Sequence, residues 1–409
     1  MNKLRIFIFI ILKILTFKIK ISFKKLKHHK IIVLDTESFR DMKNILKDED
    51  YLKIDTRFND IKKIYLDLSI LFSIYKNEYG NIYTSYLVEL IKIVNPNLII
   101  TFTDNSHKFF QISKIFKGKI RTMAIQNGSR YELNLNNHLE KFLKKNDNKL
   151  WYFDIYLSFG DYEAHQFKKF NIPYTKCIPV GSLRLSNALR FFNQENIAIR
   201  KNYYDICIIS DAVLKIDEKY KIEDADKNFF KMTKNILRFC KENNLKLVIC
   251  AKRNIENERD NEIKNYKKYL SEEEFAYFKE NLFFPLRSEN YDNYNSYLKM
   301  MESKLTIACY STMLRENIAL GKKSLSYNTI PTDNFNFISN NICTIKDVDF
   351  NEFSTRAKLL LNMTDQEYIA KLGNDRRDII SNHDANFTIS LIKKYIGKIN
   401  ENKQYNFNY

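Results

Sequence analysis

The chain has few of the residues that interrupt secondary structure. Its 409 residues include 8 glycines and 5 prolines. That excludes a long flexible or proline-rich linker between folded units. Six cysteines, Cys177, Cys207, Cys240, Cys250, Cys309 and Cys343, form no CxxC pair, which argues against metal-ribbon and thiol-redox chemistry. Cys207, Cys250 and Cys309 sit in apolar runs and read as buried thiols of a reducing cytoplasm. No Walker loop, GxGxxG, GxSxG or HExxH occurs, so the familiar nucleotide, hydrolase and zinc signatures are missing. Asp347-Val348-Asp349 has the DxD form of a metal motif, but it lies in a short apolar-acidic turn and reads as structural. Neither metal nor cofactor is expected. No fixed-period repeat appears.

Acid is also missing from one place. Residues 1–30 contain no Asp or Glu, but carry Lys3, Arg5, Lys13, Lys18, Lys20, Lys24, Lys25, Lys27 and Lys30, nine of the formal net charge of +18. Ile6 to Leu12 is an apolar run, too short and too closely flanked by charge for a spanning helix of about 20 residues. No small-residue cleavage site follows. A basic amphipathic segment over 1–29, lying on an anionic cytoplasmic membrane surface, fits this pattern. A buried first helix with solvated lysines is the plain alternative. Basicity elsewhere follows a general abundance of lysine, and no nucleic-acid-binding signature accompanies it. Nucleic acid is not an expected partner.

What is present is alternation. Length and a 44% hydrophobic fraction suit two α/β domains. Apolar strand-like runs at Lys30–Asp35, Leu98–Thr103, Arg121–Ile125, Tyr156–Phe159 and Cys177–Val180 alternate with helical periods, the clearest over Asn81–Val94. The pattern restarts at Tyr204–Ser210 and continues through Leu245–Ala251, Leu305–Cys309 and Ser324–Tyr327. Strands alternating with helices imply parallel sheets covered on both faces. The expected divisions are 1–29, a first Rossmann-like domain over 30–200, a second over 201–385, and a terminal helix in 386–409. Polar residues 187–203 read as the connection. Ser38 and Asp41 look like a capping pair.

In such sheets ligands bind beyond the carboxyl ends of the strands. In the second half those ends carry Ser210, the Lys252-Arg253 pair, and Ser311-Thr312 opening a helix with Glu316 one turn inside. Hydroxyls, a helix N-terminus and two cations suit a phosphate, and Glu316 can accept from ribose. The bland readings are a capped helix with a solvated Glu and a solvated basic pair. In the first half the ends carry Asp104, Gln126-Asn127-Gly128, and Gly181-Ser182 with Arg184. Asp104 is the candidate base for an attacking hydroxyl, or else a helix cap. Glu132 and His107 are weaker candidates.

The run STMLRENIALGKKSLSYN resembles the donor site of GT-B glycosyltransferases: Ser/Thr, a Glu within the helix, Gly, a basic residue and a strand. QNGSR is similar to the Gln-His-Gly turn of bacterial surface-polysaccharide transferases, with Asn127 in place of His. VGSLR resembles the family's Gly-Ser strand end, and the tail from Leu359 to Ile396 its closing helices. The resemblance covers about residues 30–397. It implies two Rossmann-like domains facing a cleft, with a nucleotide sugar on the second and a surface-glycan or lipid-linked acceptor on the first. The implied activity is metal-independent transfer of a sugar for capsule, O-antigen or teichoic-acid type polymers, at the inner face of the cytoplasmic membrane. A nucleotide-sugar epimerase shares the architecture, and a donor of CMP-acidic-sugar type suits the cations. A non-catalytic scaffold in polysaccharide assembly is the third reading.

Overall fold

The structure is a computed structural model of the full chain. It describes residues 20–22, 26–35, 39–56, 63–65, 70, 79, 82–129, 152–210, 223–252, 256–286, 292–331, 335–346, 349–381, 384 and 386–401. The basic segment thus lies mostly outside the described residues, as do Arg253 and Glu132.

The first unit runs β1 (Lys20–Ser22), β2 (Ile31–Leu34), α1 (Phe39–Leu46), β3 (Tyr51–Ile54), β4 (Lys63–Tyr65), α2 (Ile82–Val94), β5 (Leu98–Thr101), α3 (His107–Ile115), β6 (Arg121–Ile125), β7 (Phe153–Ser158), α4 (Tyr162–Lys169), β8 (Tyr174–Pro179) and α5 (Leu183–Gln194). Its main sheet has order β3-β2-β5-β6-β7-β8, every pair parallel. β1 and β4 form a separate parallel pair.

The second unit runs β9 (Tyr204–Ile209), α6 (Ala225–Glu242), β10 (Leu247–Cys250), α7 (Glu256–Tyr269), α8 (Glu272–Glu280), β11 (Leu282–Phe283), α9 (Asn295–Met301), β12 (Ser303–Ala308), α10 (Thr312–Ala319), β13 (Lys323–Asn328), β14 (Thr344–Lys346), α11 (Phe350–Asn362), α12 (Asp365–Leu372), α13 (Asp375–Ile379) and α14 (Phe387–Glu401). Its sheet is also parallel, with order β11-β10-β9-β12-β13-β14. This is the doubly wound 3-2-1-4-5-6 order, whose switch point falls between β9 and β12.

The strands are continuous apolar runs because both faces are covered. Ile206, Cys207, Ile208, Leu305 and Ile307 are wholly buried in one core that also takes Phe229 and Ile236 of α6. The last helix, α14, returns to the first unit. Its Ile389, Ile392 and Ile396 join Ile31, Leu98, Val180 and Leu183, each burial worth about 1.5–3 kcal/mol.

One local reading needs correction. Residues 187–203 are not all connection: α5 extends to Gln194 because Leu185, Ala188 and Phe192 bury a helical stripe among polar neighbours. Among the closing helices, α12 ends at Gly373, which has φ 54°. Asp41 lies in the first turn of α1, buried and paired with Arg184 at 2.9 Å. Ser38 lies outside the described residues. β3 carries no clear apolar run and went unpredicted.

α10 has the stop that its glycine predicts. The amide of Gly321 (φ 76°) donates to Ile318 and that of Lys322 to Asn317. This Schellman pairing favours glycine at the left-handed position.

The two units meet tightly at Gly160. A Cβ there would lie 2.6 Å from the carbonyl oxygen of Arg377, and closer still to that of Asp378. Gly160→Ala should therefore force α13 away from the first unit. The expected loss is about 1–3 kcal/mol, read as a lower midpoint in urea unfolding.

Candidate functional site

The site is built around α10. Ser311 is its N-cap, accepting from the Met313 amide at 3.4 Å. The first helical amides have no partner within a helix and carry its positive dipole end. The cap follows β12 at the switch point of the second sheet, so the helix tip faces the cleft.

The first unit approaches α10 from three successive strands. After β6, the Ser129 amide donates to Thr312 Oγ1 at 2.9 Å. After β7, Glu163 of α4 receives Arg315, with Nη1 to Oε1 at 2.6 Å and Nη2 to Oε2 at 3.1 Å. After β8, Ser182 donates its hydroxyl to Glu316 Oε1 at 2.5 Å. Arg315 and Glu163 side chains are both 0% exposed. Arg315 Nε also donates to Ile379 O at 2.6 Å, and its guanidinium lies 5.0 Å from the Phe159 ring.

Between the two units lies an open cavity of about 280 Å³. From the first unit it is lined by Gly128, Ser129 and Arg184; from the second by Ser210, Lys252, Ser311, Thr312 and Glu316, with Tyr297 and Tyr310 as walls. The volume is near the lower end for small-molecule sites.

The residues singled out from the sequence divide into two groups. Lys252, Ser311, Thr312, Arg184 and Gly128 line the cavity with groups able to meet a ligand. Arg184 donates through Nε and Nη2 to Asp41 Oδ2 at 3.3 and 2.9 Å. Asp41 beside it holds its pKa well above the ordinary arginine range, against desolvation. It is therefore a fixed cation.

The others are committed within the protein. Ser210 lines the cavity, but its hydroxyl donates to Glu262 at 2.5 Å and lies 2.9 Å from Tyr266. Gln126 is buried: Nε2 donates to Gly128 O at 2.9 Å and Glu163 Oε1 at 2.7 Å, and Oε1 accepts from the Phe159 amide at 2.7 Å. It shapes the turn and offers nothing to a ligand. Asp104 is buried beneath that turn, accepting from Tyr156 at 2.5 Å and the Asn127 amide at 3.3 Å. It does not line the cavity. The geometry therefore gives it a turn-supporting place in this conformation, and no free base faces the cavity from that position. Gly181 is buried at the end of β8, and Asn127 is half-buried above Asp104. His107 opens α3 in an exposed position. Asp349 caps α11, accepting from the Glu352 amide at 2.9 Å.

Glu316 reaches the cavity wall with both oxygens engaged, Oε1 by Ser182 and Oε2 by the Tyr297 hydroxyl at 2.9 Å. A ribose hydroxyl would have to compete with these two. Glu163, Arg315, Tyr297 and Ser129 were missed as parts of the site. Only Ser129, next to the QNG turn, had a signal in the sequence.

No protein-family model matches the chain, and no curated protein matches it. Solved structures do. The UDP-GlcNAc 2-epimerase from Neisseria meningitidis bound to UDP-GlcNAc is similar with a TM-score of 0.53 and 13% identity, over 91% of this chain and 100% of that one. The Methanocaldococcus jannaschii UDP-GlcNAc 2-epimerase in complex with UDP-GlcNAc and UDP gives 0.51 and 11%, over 90% and 99%. At such identities the likeness shows the fold. The chain has the GT-B fold, two Rossmann-like domains about a cleft.

Burial raises the Glu316 pKa above its ordinary 4.5, against the hydrogen bonds from Ser182 and Tyr297 and the charge of Arg184. The folded chain then holds this proton more tightly than the unfolded chain. The resulting stability is present below the ordinary value and lost as pH rises through the folded value. Glu316→Gln should flatten this segment of the profile, shrinking the difference in Tm between about pH 4 and pH 8. Parallel profiles for the two proteins would show that Glu316 titrates normally.

Proposed function

We propose that the chain is an enzyme acting on a nucleotide-linked sugar, and that it transfers the sugar to a surface glycan or lipid-linked acceptor. The observation that carries this is the position of the cavity. It lies at the switch point of the second sheet, with the tip of α10, Ser311 and Lys252 on one side and Arg184 of the first domain opposite. A phosphate at the helix tip meets the positive end of the helix dipole, a hydroxyl and cations. These groups also stabilise charge on the departing phosphate, and being fixed they need little reorganisation as it leaves. The acceptor would enter along the carboxyl edge of the first sheet, beside Gly128 and Ser129. Water excluded from the cleft would limit hydrolysis of the donor.

Lys252 is the residue on which nucleotide affinity should turn most visibly. Its backbone amide is tied to Glu262 at 3.2 Å, and the exposed residue lines the cavity. Calorimetry with UDP, GDP, CDP and CMP should find one that binds in the micromolar to millimolar range. Lys252→Ala should weaken that binding about tenfold, the loss of one charge-assisted contact of roughly 1.4 kcal/mol. Binding of none of the four would remove the donor site. Incubation with the matching nucleotide sugar alone separates the two chemistries. A transferase gives at most slow release of nucleotide, whereas an epimerase gives an epimeric sugar without any acceptor.

The basic residues of 1–29 support a place at the anionic inner face of the cytoplasmic membrane. Among the described residues no helix is long and apolar enough to cross a membrane. Full-length protein should float with vesicles containing phosphatidylglycerol, and protein lacking residues 1–29 should not. Equal flotation of both would place the contact elsewhere.

A further inference from the structure

We infer that Glu163 is a positioning residue that sets the width of the cleft. The inference rests on the proposed use of that cleft as a substrate site. Among the described residues, Glu163 is tied to both walls of the cavity through buried side chains. The second-domain wall is the N-terminal half of α10, held through Arg315 by two hydrogen bonds of 2.6 and 3.1 Å. The first-domain wall is the turn 126–129, held through Gln126, which donates to the same Oε1 atom at 2.7 Å. Gln126 in turn grips Gly128 O and the Phe159 amide, so the turn moves with it.

The geometry leaves little slack. Each of the three groups is buried: Glu163 0%, Arg315 0% and Gln126 1%. Water cannot replace any of them. Glu163 lies in the first turn of α4, where a carboxylate gains from the helix dipole. The guanidinium is also bonded to Ile379 and stacked near Phe159, so it cannot follow a displaced carboxylate. Ser129 and Thr312, which line the cavity and are hydrogen-bonded to each other at 2.9 Å, are each three residues from an anchor, Gln126 and Arg315. A change at Glu163 would thus be felt as a change in the spacing of Gly128 and Ser129 against Ser311 and Thr312. Reactions between two bound partners are sensitive to shifts of about 1 Å. Binding of the nucleotide alone is less sensitive, because Lys252 and Ser311 stay together in the second domain and, among the described cations, Arg184 alone would reach the phosphate from the first.

The test uses the full chain with Cys177→Ser and spin labels at the exposed positions Lys119→Cys and Lys358→Cys, one in each domain; the remaining cysteines are buried. Glu163→Gln should broaden the inter-label distance distribution. It should lower kcat on the nucleotide sugar identified above at least tenfold, with the Kd for the free nucleotide changed less than twofold. Gln126→Met, which frees only the turn, should lower kcat in the same way with a narrow distribution retained. If Glu163→Gln does not fold, the double variant Glu163→Met with Arg315→Met removes both charges together and avoids a lone buried ion. The same split is expected of it. An unchanged distribution with unchanged kcat, or equal losses in kcat and nucleotide affinity, would overturn the assignment. Should the parent chain bind no nucleotide, the functional reading fails, and the distance distribution alone decides the role of Glu163.

Discussion

An ion pair removed from water joins the two halves of this protein, and much of the site geometry depends on it. Taking Arg315 and Glu163 out of solvent costs several kcal/mol per ion. The cost is offset only if every remaining donor and acceptor is met. Here the carboxylate takes two bonds from Arg315 and one from Gln126, and the guanidinium adds Ile379 O. Removing one partner would leave the other charged and buried, a loss of about 3–5 kcal/mol. The pair therefore constrains more than it stabilises. It permits one arrangement of the two domains at this seam, and Gly160, with no room for a side chain, enforces the same arrangement beside it.

This demand for satisfied polar groups also explains the division within the site. Buried polar atoms must find partners, and a residue at a strand end is close to many. Gln126, Asp104, Ser210 and Glu316 look from the sequence like groups offered to a ligand. Each is 3% exposed or less, and each is bonded within the protein. Lys252, Ser311 and Thr312 are more exposed at the rim of the cavity. Arg184 is intermediate: Asp41 fixes its position, and a quarter of its side chain remains accessible. Burial, rather than residue type, separates the groups that hold the cleft from those that can meet a substrate.

The fold was largely legible because parallel strands covered on both faces must be apolar throughout. YDICII and LVIC can hardly be anything else at that length. The carboxyl ends could then be read off, and with them the position of the site. What was hidden has a common cause. The contacts Arg315–Glu163, Ser182–Glu316 and Ser129–Thr312 join residues separated by 152, 134 and 183 positions. Periodicity and turn chemistry report on neighbours in sequence and are silent on such pairs. Nothing local sets Glu163 apart from any other acid in the first turn of a helix. The polar residues of α5 were misread as connection for a related reason: its partners in the core come from distant segments.

Arg315 and Glu316 are adjacent in sequence, and that adjacency has a structural meaning. Successive residues on a helix point about 100° apart. Arg315 turns to α4, after β7, and Glu316 to the cap of α5, after β8. Two grips separated in this way resist rotation of α10 about its axis, which one grip alone would not. The contact from Ser129 to Thr312, after β6, then limits tilt at the N-terminal end. The strands β6, β7 and β8 are neighbours in one sheet, so these three contacts keep the spacing of the sheet itself. The N-terminal end of α10 is thereby held against the opposite domain. In this architecture the first domain does more than form one wall of the cleft. It orients the other wall through a helix that belongs to the second domain.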